Sequence, residues 1–166
     1  MIALSIVNVK EFMNTLLIGD AFDSFYVGES EITTFTQFKV GGRLKEEYYT
    51  SDELEALEGR THCLWSEVKP LAFQLIKGKK PPVRFKIIFE LSKKNRAWLI
   101  DHNHIQIAES DIGGLYLNVK YENQQVRCIS GVSFNSFIPD KTLGQLWDQT
   151  VIQFLKQKNI EFEHDY

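Results

Sequence analysis

The sequence predicts an α+β fold, a mainly antiparallel sheet with helices packed on it. Three observations carry that prediction. Stretches of apolar alternation are interleaved with stretches whose apolar residues recur at helical spacing. Two pairs of the alternating stretches are joined by short turns, which reads as hairpins. One order of elements (strand, capped helix, strands, helix) runs twice along the chain.

Each strand group in that order opens on a similar string. It is Glu29-Ser30-Glu31-Ile32 in the first run and Glu109-Ser110-Asp111-Ile112 in the second. The recurrence fits two copies of a strand–helix–strands–helix unit related by a pseudo-twofold axis. The half-units, 1–78 and 82–160, would share one sheet or core within a single compact domain, 1–166. It also fits coincidence, because identity between the halves is poor elsewhere and this element order is common.

Taken in order, Ile2, Leu4 and Ile6 alternate and predict a short strand. Asn8 opens a helix, with Glu11 placed as in a capping box. Val9, Phe12, Met13, Leu16 and Leu17 form its buried face, and Gly19 is expected to end it in the left-handed conformation. Residues 22–27 read as a weak strand or loop. Residues 32–40 and 43–49 are expected to form a hairpin around Gly41-Gly42, since glycine tolerates the positive φ of a primed turn. Thr50 and Glu53 make a capping box for a short acidic helix that stops at Gly59. Ser66 is expected to cap the next helix, with Pro70 in its first turn and Gly78 and Pro81-Pro82 beyond its end.

Val83, Phe85, Ile87, Phe89 and Leu91 alternate with Arg84, Lys86, Ile88 and Glu90, which is the clearest strand. Ser92 caps a short helix in which Trp98 and Leu99 are expected to be core or semi-core. A polar loop holds His102 and His104, and a short strand is expected at 105–108. The best hairpin turns at Asn123-Gln124. It sets Tyr121 opposite Val126, Val119 opposite Cys128, Leu117 opposite Ser130 and Leu115 opposite Val132, which keeps both apolar sets on one face. Asp140 or Thr142 caps the last helix, whose stripe runs from Leu143 to Leu155. Residues 160–162 are expected to add an edge strand, and 163–166 to form a loose tail.

At 166 residues the chain is long enough to bury roughly 70% of its unfolded surface, so it needs no staples. The 43% hydrophobic and 25% charged contents argue against disorder. Cys63 and Cys128 lie outside any C-x-x-C pair and read as small hydrophobes in a reducing compartment. Residues 1–17 lack the basic region, apolar run and small-residue site of a signal peptide. No apolar run approaches the ~20 residues of a membrane span. The expectation is a cytoplasmic protein without a membrane partner.

The net charge of −3 argues against a dedicated nucleic-acid binder, yet the charge is uneven. From Lys77 to Arg96 there are eight basic residues and one acid, and from Glu11 to Glu67 twelve acids and four basic residues. Lys79, Lys80, Arg84, Lys86, Lys93, Lys94 and Arg96 are therefore a candidate binding patch for phosphates or an acidic protein surface. The bland alternative is a solvated rim. His102 and His104, beside Asp101, are the candidate metal ligands, because residues two apart on a strand point the same way. The alternative there is a polar loop with solvated imidazoles. His62 and Cys63 would face opposite ways on an extended segment, which does not make a nucleophile–base pair. There is no nucleophile elbow, P-loop, dinucleotide fingerprint or H-E-x-x-H, and no cofactor is predicted.

Several strings stand together: Glu31-Ile32-Thr33-Thr34-Phe35, Gly42-Arg43 with Tyr48-Tyr49, and Leu75-Ile76-Lys77-Gly78-Lys79 leading into Phe85-Lys86-Ile87. Gly114-Leu115-Tyr116-Leu117-Asn118 precedes Tyr121-Glu122, and Asp140-Lys141 with Trp147-Asp148 closes the set. Over nearly the whole chain they resemble a family of small uncharacterised bacterial proteins, a domain of unknown function. The resemblance implies a complete single-family protein and transfers no catalytic residue. By element order alone the chain is loosely similar to sliding DNA clamps and to the TATA-binding saddle, a fold-level analogy without a residue motif.

Three functions follow as expectations. The first is a non-catalytic binding or assembly module that uses its acidic and basic surfaces for self-association or for a protein partner. The second is a clamp-like or saddle-like nucleic-acid accessory protein, acting through the basic patch. The third is a metal-dependent hydrolase built on His102 and His104.

Overall fold

Alternation and capping set the element order. In the computed structural model, which describes residues 1–166, the chain runs β1 (Ala3–Ile6), α1 (Val9–Leu17), β2 (Tyr26–Val27), β3 (Ser30–Thr33), β4 (Gln37–Val40), α2 (Ser51–Ala56) and α3 (Trp65–Ile76). It continues through β5 (Arg84–Glu90), α4 (Lys93–His102), β6 (Ile112–Glu122), β7 (Gln125–Phe134), α5 (Thr142–Gln157) and β8 (Phe162–His164). The fold is α+β. One antiparallel sheet has the order β4-β3-β5-β6-β7-β1-β8, with β2 also pairing to β5.

The β6–β7 hairpin has the predicted register at all four pairs, Tyr121–Val126, Val119–Cys128, Leu117–Ser130 and Leu115–Val132. Asn123 and Gln124 take φ of 53° and 61°, as a primed two-residue turn requires. The predicted caps form where a side chain can reach an orphan helix N–H. Asn8 accepts from the Glu11 N–H, Thr50 and Glu53 close a capping box, and Ser92 accepts from the Asn95 N–H.

Several local expectations are corrected. The first hairpin turns at Thr34–Thr36, joining β3 to β4, and not at Gly41-Gly42. Gly42 serves a different need: a Cβ there would lie 1.5 Å from the Val27 carbonyl oxygen, so only glycine lets the chain cross so close to β2. Residues 46–48 form a 3-10 turn instead of a strand. Gly19 does not take positive φ; α1 ends with the Ile18 and Gly19 N–H groups sharing the Asn14 carbonyl. Ser66 does not cap α3, because the Glu67 carboxylate accepts the Leu64 N–H one turn earlier. Pro70 thus falls beyond the first turn, at an exposed position of α3.

Residues 105–108 form no strand, since α4 continues to His102 and is followed by turns. Nor is the tail loose. His164 pairs with Leu4, and the Asp165 N–H donates to the Ala3 carbonyl. The element order repeats, but the pairing does not: β5 pairs with β6 in its own half, whereas β1 pairs with β7 across the halves.

The core lies on one face of the sheet. Phe85, Ile87 and Phe89 of β5, Leu115, Leu117 and Val119 of β6, and Val126 and Cys128 of β7 join one cluster with α1, α3, α4 and α5. Phe22 stacks on Phe89 at 5.1 Å and meets Phe12 and Phe154 edge-on. The two buried indoles find acceptors: Trp65 Nε1 donates to the Leu16 carbonyl and Trp147 Nε1 to the Tyr116 carbonyl, each at 2.8 Å. Ser30 repairs the break between β2 and β3. Its Oγ accepts the Ile88 N–H and donates to the Gly28 carbonyl.

Candidate docking face

Side chains alternate across a strand, so the residues between the core positions point to the sheet's other face. Register lines them up in rows. In one row Glu31 faces Lys86, Lys86 faces Lys120, Lys120 faces Arg127, and Arg127 faces Ser5, which faces Glu163. Lys39 extends the row from β4, opposite Glu31. In the next row Ile88 faces Asn118 and Asn118 faces Ile129, which faces Ala3. Neither Ile88 nor Ile129 joins the core, and Lys86, Lys120 and Arg127 are exposed. The face is therefore open, with an apolar strip beside a cationic row.

Within the row, Lys39 and Arg127 are ion-paired and the two lysines between them are not. Lys39 lies 3.6 Å from Glu31, and the Arg127 guanidinium bonds Asp165. Neither Lys86 nor Lys120 makes an ion pair. Lys120 is flanked by a cation on each neighbouring strand, an arrangement that disfavours folding. A shallow hollow of about 180 Å³ lies beside it, bounded by Glu31, Arg84, Lys86, Lys120 and Glu122.

At the far end of β5, Glu90 and Tyr116 face each other in the row beyond Ile88. Burial pushes the Glu90 carboxyl above the usual carboxylate range, against the opposing pull of Arg96. Burial also raises the Tyr116 phenol, with Glu90 adding to the effect. Arg96 sits 3.9 Å from Glu90 and 3.5 Å from Glu109, with its side chain only 11% exposed and its Nε unpartnered.

The structure separates the basic residues singled out in the sequence. Lys79, Lys80 and Arg84 lie before or at the start of β5, Lys93 and Lys94 after its end, and the strand between spans about 20 Å. Lys86 points to the open face. Arg96 turns inward to Glu90 and Glu109, so it is not part of an exposed patch. Lys120 and Arg127 were not in the basic run, yet register sets them beside Lys86. The signal for that pair was present in the hairpin: Tyr121 opposite Val126 implies Lys120 opposite Arg127.

His102 ends α4 and stacks on Trp98 at 4.6 Å, while His104 sits in a turn with φ of 53°. The strand that would have aligned the two imidazoles is absent. No group of three or more His, Cys, Asp or Glu side chains is placed to hold a metal. Trp98 is 62% exposed rather than core. His62 stacks on Tyr26, with its pKa lowered by burial and then by Arg43. Burial raises the Cys63 thiol, and pushes that of Cys128 up to about 12.

The model of a family of unknown function, DUF5721, matches residues 15–163. The chain belongs to that family. No curated protein and no solved structure matches it. The DUF5721 span begins within α1 and so leaves out β1, but it holds the whole cationic row from Lys39 to Arg127. No helix is long and apolar enough to cross a membrane.

Proposed function

We propose that this DUF5721 chain is a binding module whose open sheet face docks the acidic surface of a partner protein. The observation that carries the reading is Lys120, held in register between Lys86 and Arg127 with no carboxylate partner. Folding alone gains nothing from setting Lys120 between two cations, whereas an acidic partner would turn the unpaired Lys86 and Lys120 into ligands. Ile88 and Ile129, on either side of Asn118, and Ala3 place apolar area beside the row, and protein interfaces combine apolar with charged contacts. Glu31, Glu122, Glu163 and Asp165 share the face, which suits a partner of mixed surface better than a phosphate polyanion.

The test is fluorescence anisotropy with three labelled probes: a peptide alternating Glu and Leu, single-stranded DNA, and RNA. Each is titrated with wild type and with Lys120→Glu at low and high salt. The expected result is peptide binding that weakens with salt and falls by about tenfold or more, ~1.4 kcal/mol, in Lys120→Glu. Tighter binding of either nucleic acid than of the peptide would replace this reading with nucleic-acid contact. Peptide binding indifferent to Lys120→Glu, or absent from wild type, would overturn it.

A further inference from the structure

Leu91 and Ser92 turn the chain from β5 into α4, and Ser92 caps the helix. Arg96 lies one turn beyond that cap, so its side chain reaches back over the end of β5 to Glu90, 3.9 Å away. On its other side stands Glu109, 3.5 Å away, in the 3-10 turn at Glu109–Asp111. A charge-assisted hydrogen bond closes to about 2.7–2.9 Å. The guanidinium therefore lies between two carboxylates without closing on either, and its buried Nε has no partner. The two carboxylates are unlike. The Glu90 side chain is 12% exposed and that of Glu109 is 44% exposed.

The other neighbours of Glu90 follow from register. Tyr26 of β2 faces it on one side and Tyr116 of β6 on the other. The titratable and charged groups that face Glu90 are thus Tyr26, Tyr116 and Arg96, with Glu109 acting through Arg96. Arg96 is the charge that pulls against burial at Glu90, and the Tyr116 phenol answers to both Glu90 and Arg96. One step further out, His62 stacks on Tyr26 at 5.6 Å and answers to burial and to Arg43. Lys93 and Lys94, in the first turn of α4, are exposed.

We infer that Arg96 is a two-position latch: it stays inserted against Glu90 while Glu90 is ionised, and swings out to Glu109 and solvent when Glu90 takes a proton. A buried cation needs its counter-charge. While Glu90 is charged, insertion pairs the two buried groups. Once Glu90 is neutral, its own burial costs less, but Arg96 is left buried with only the more exposed Glu109 to balance it. Neither carboxylate holds the guanidinium by a short hydrogen bond, and its Nε has no bond to lose, so little opposes the move. The inserted side chain is 11% exposed, and its departure opens the end of the sheet at Glu90 and Tyr116. The folded chain holds the Glu90 proton more tightly than the unfolded chain does, which places the movement above the ordinary glutamate range, in mildly acidic solution. The latch operates whether or not a partner docks on the cationic row.

The experiment follows the Arg96 Nε–H group by NMR, its resonance assigned by its loss in Arg96→Lys. The heteronuclear NOE of that group is measured from neutral to mildly acidic pH, alongside the carbon-13 shift of the Glu90 carboxyl. Backbone amide spectra verify that the chain stays folded throughout. The expected result is a rigid Nε–H at neutral pH whose NOE is lost in acid, with the same midpoint as the Glu90 carboxyl. Exchange of Nε–H with water slows in acid, so that loss reports motion. In Glu90→Gln the NOE should already be lost at neutral pH. In His62→Gln the transition should stay where it is in wild type. An NOE kept to the acid end in folded protein, or a midpoint apart from that of Glu90, would overturn the inference. So would a rigid Arg96 in Glu90→Gln at neutral pH, or a transition that disappears in His62→Gln. If Glu90→Gln does not fold, the agreement of the two wild-type midpoints decides the matter alone.

Discussion

Ile88 and Phe89 are neighbours on one strand and belong to two different surfaces. Phe89 packs among Phe22, Phe25 and Trp65, on the face that holds the core. Ile88, half-buried, lies on the sheet's other face, where α4 reaches only the far end through Arg96, beside three cations in register. The first face is accounted for by folding: its buried indoles and the Ser30 hydroxyl all find partners. The second is not, because Lys120 between Lys86 and Arg127 is a choice that burial and hydrogen bonding do not explain. An antiparallel sheet is free to leave one face in water, so bare exposure carries no message. The like-charge row does.

The contrast makes graded predictions. Phe89→Ala removes a fully buried ring and leaves a cavity, and is expected to destabilise by about 3–5 kcal/mol in chemical denaturation. The same measurement on Ile88→Ala should show less than about 1 kcal/mol. Equal effects at the two positions would mean that the open face is covered, which would break the comparison. Ser130→Ala should lie between them. The Ser130 Oγ donates to Asp148 and accepts the Ile2 N–H, so its loss removes a bond from each of two half-buried partners, at a cost of about 1–3 kcal/mol.

Glu90 supplies a smaller effect with a definite sign. Its folded-state pKa is raised, so the folded chain holds the proton more tightly than the unfolded chain does. The stability it contributes is fully present below the ordinary glutamate range and is lost as pH rises through the elevated folded value. Glu90→Gln removes that dependence, while Arg96 keeps Glu109. Denaturation midpoints across mildly acidic to neutral pH should therefore fall less steeply for the variant than for wild type. A parallel pair of curves would contradict the assignment. Cys128, on the core face, should react with a thiol reagent only as fast as the protein unfolds, since burial holds its thiol near 12.

How much of this was legible in the sequence depends on how far apart the deciding residues lie. The β6–β7 register followed from a two-residue turn and two alternating runs, all within one short stretch. Lys120 opposite Arg127 came with it. The third cation, Lys86, required knowing that β5 pairs with β6 across α4, which no local pattern states. Gly42 was misread for the same reason: a glycine pair looks like a turn, and the contact that demands it is the carbonyl of Val27 on another strand. The basic run misled in the opposite direction. Its members are adjacent in sequence, but β5 carries Arg84 away from Lys93, and Arg96 satisfies Glu90 and Glu109 instead of solvent. Trp98 was expected to be core or semi-core, and its exposure follows from how α4 sits in the fold, which its helical spacing does not state.

The most direct test of the central claim is the denaturation midpoint of Lys120→Glu against wild type at low salt. A carboxylate at that position meets Lys86 on one side and Arg127 on the other, so two like-charge neighbours become two opposite ones. If the row exists for a partner at the expense of the fold, the variant is more stable than wild type by up to about 1 kcal/mol, and the gain fades with added salt. A variant no more stable than wild type would show that the row imposes nothing on folding, and the open face would then be an ordinary solvated surface.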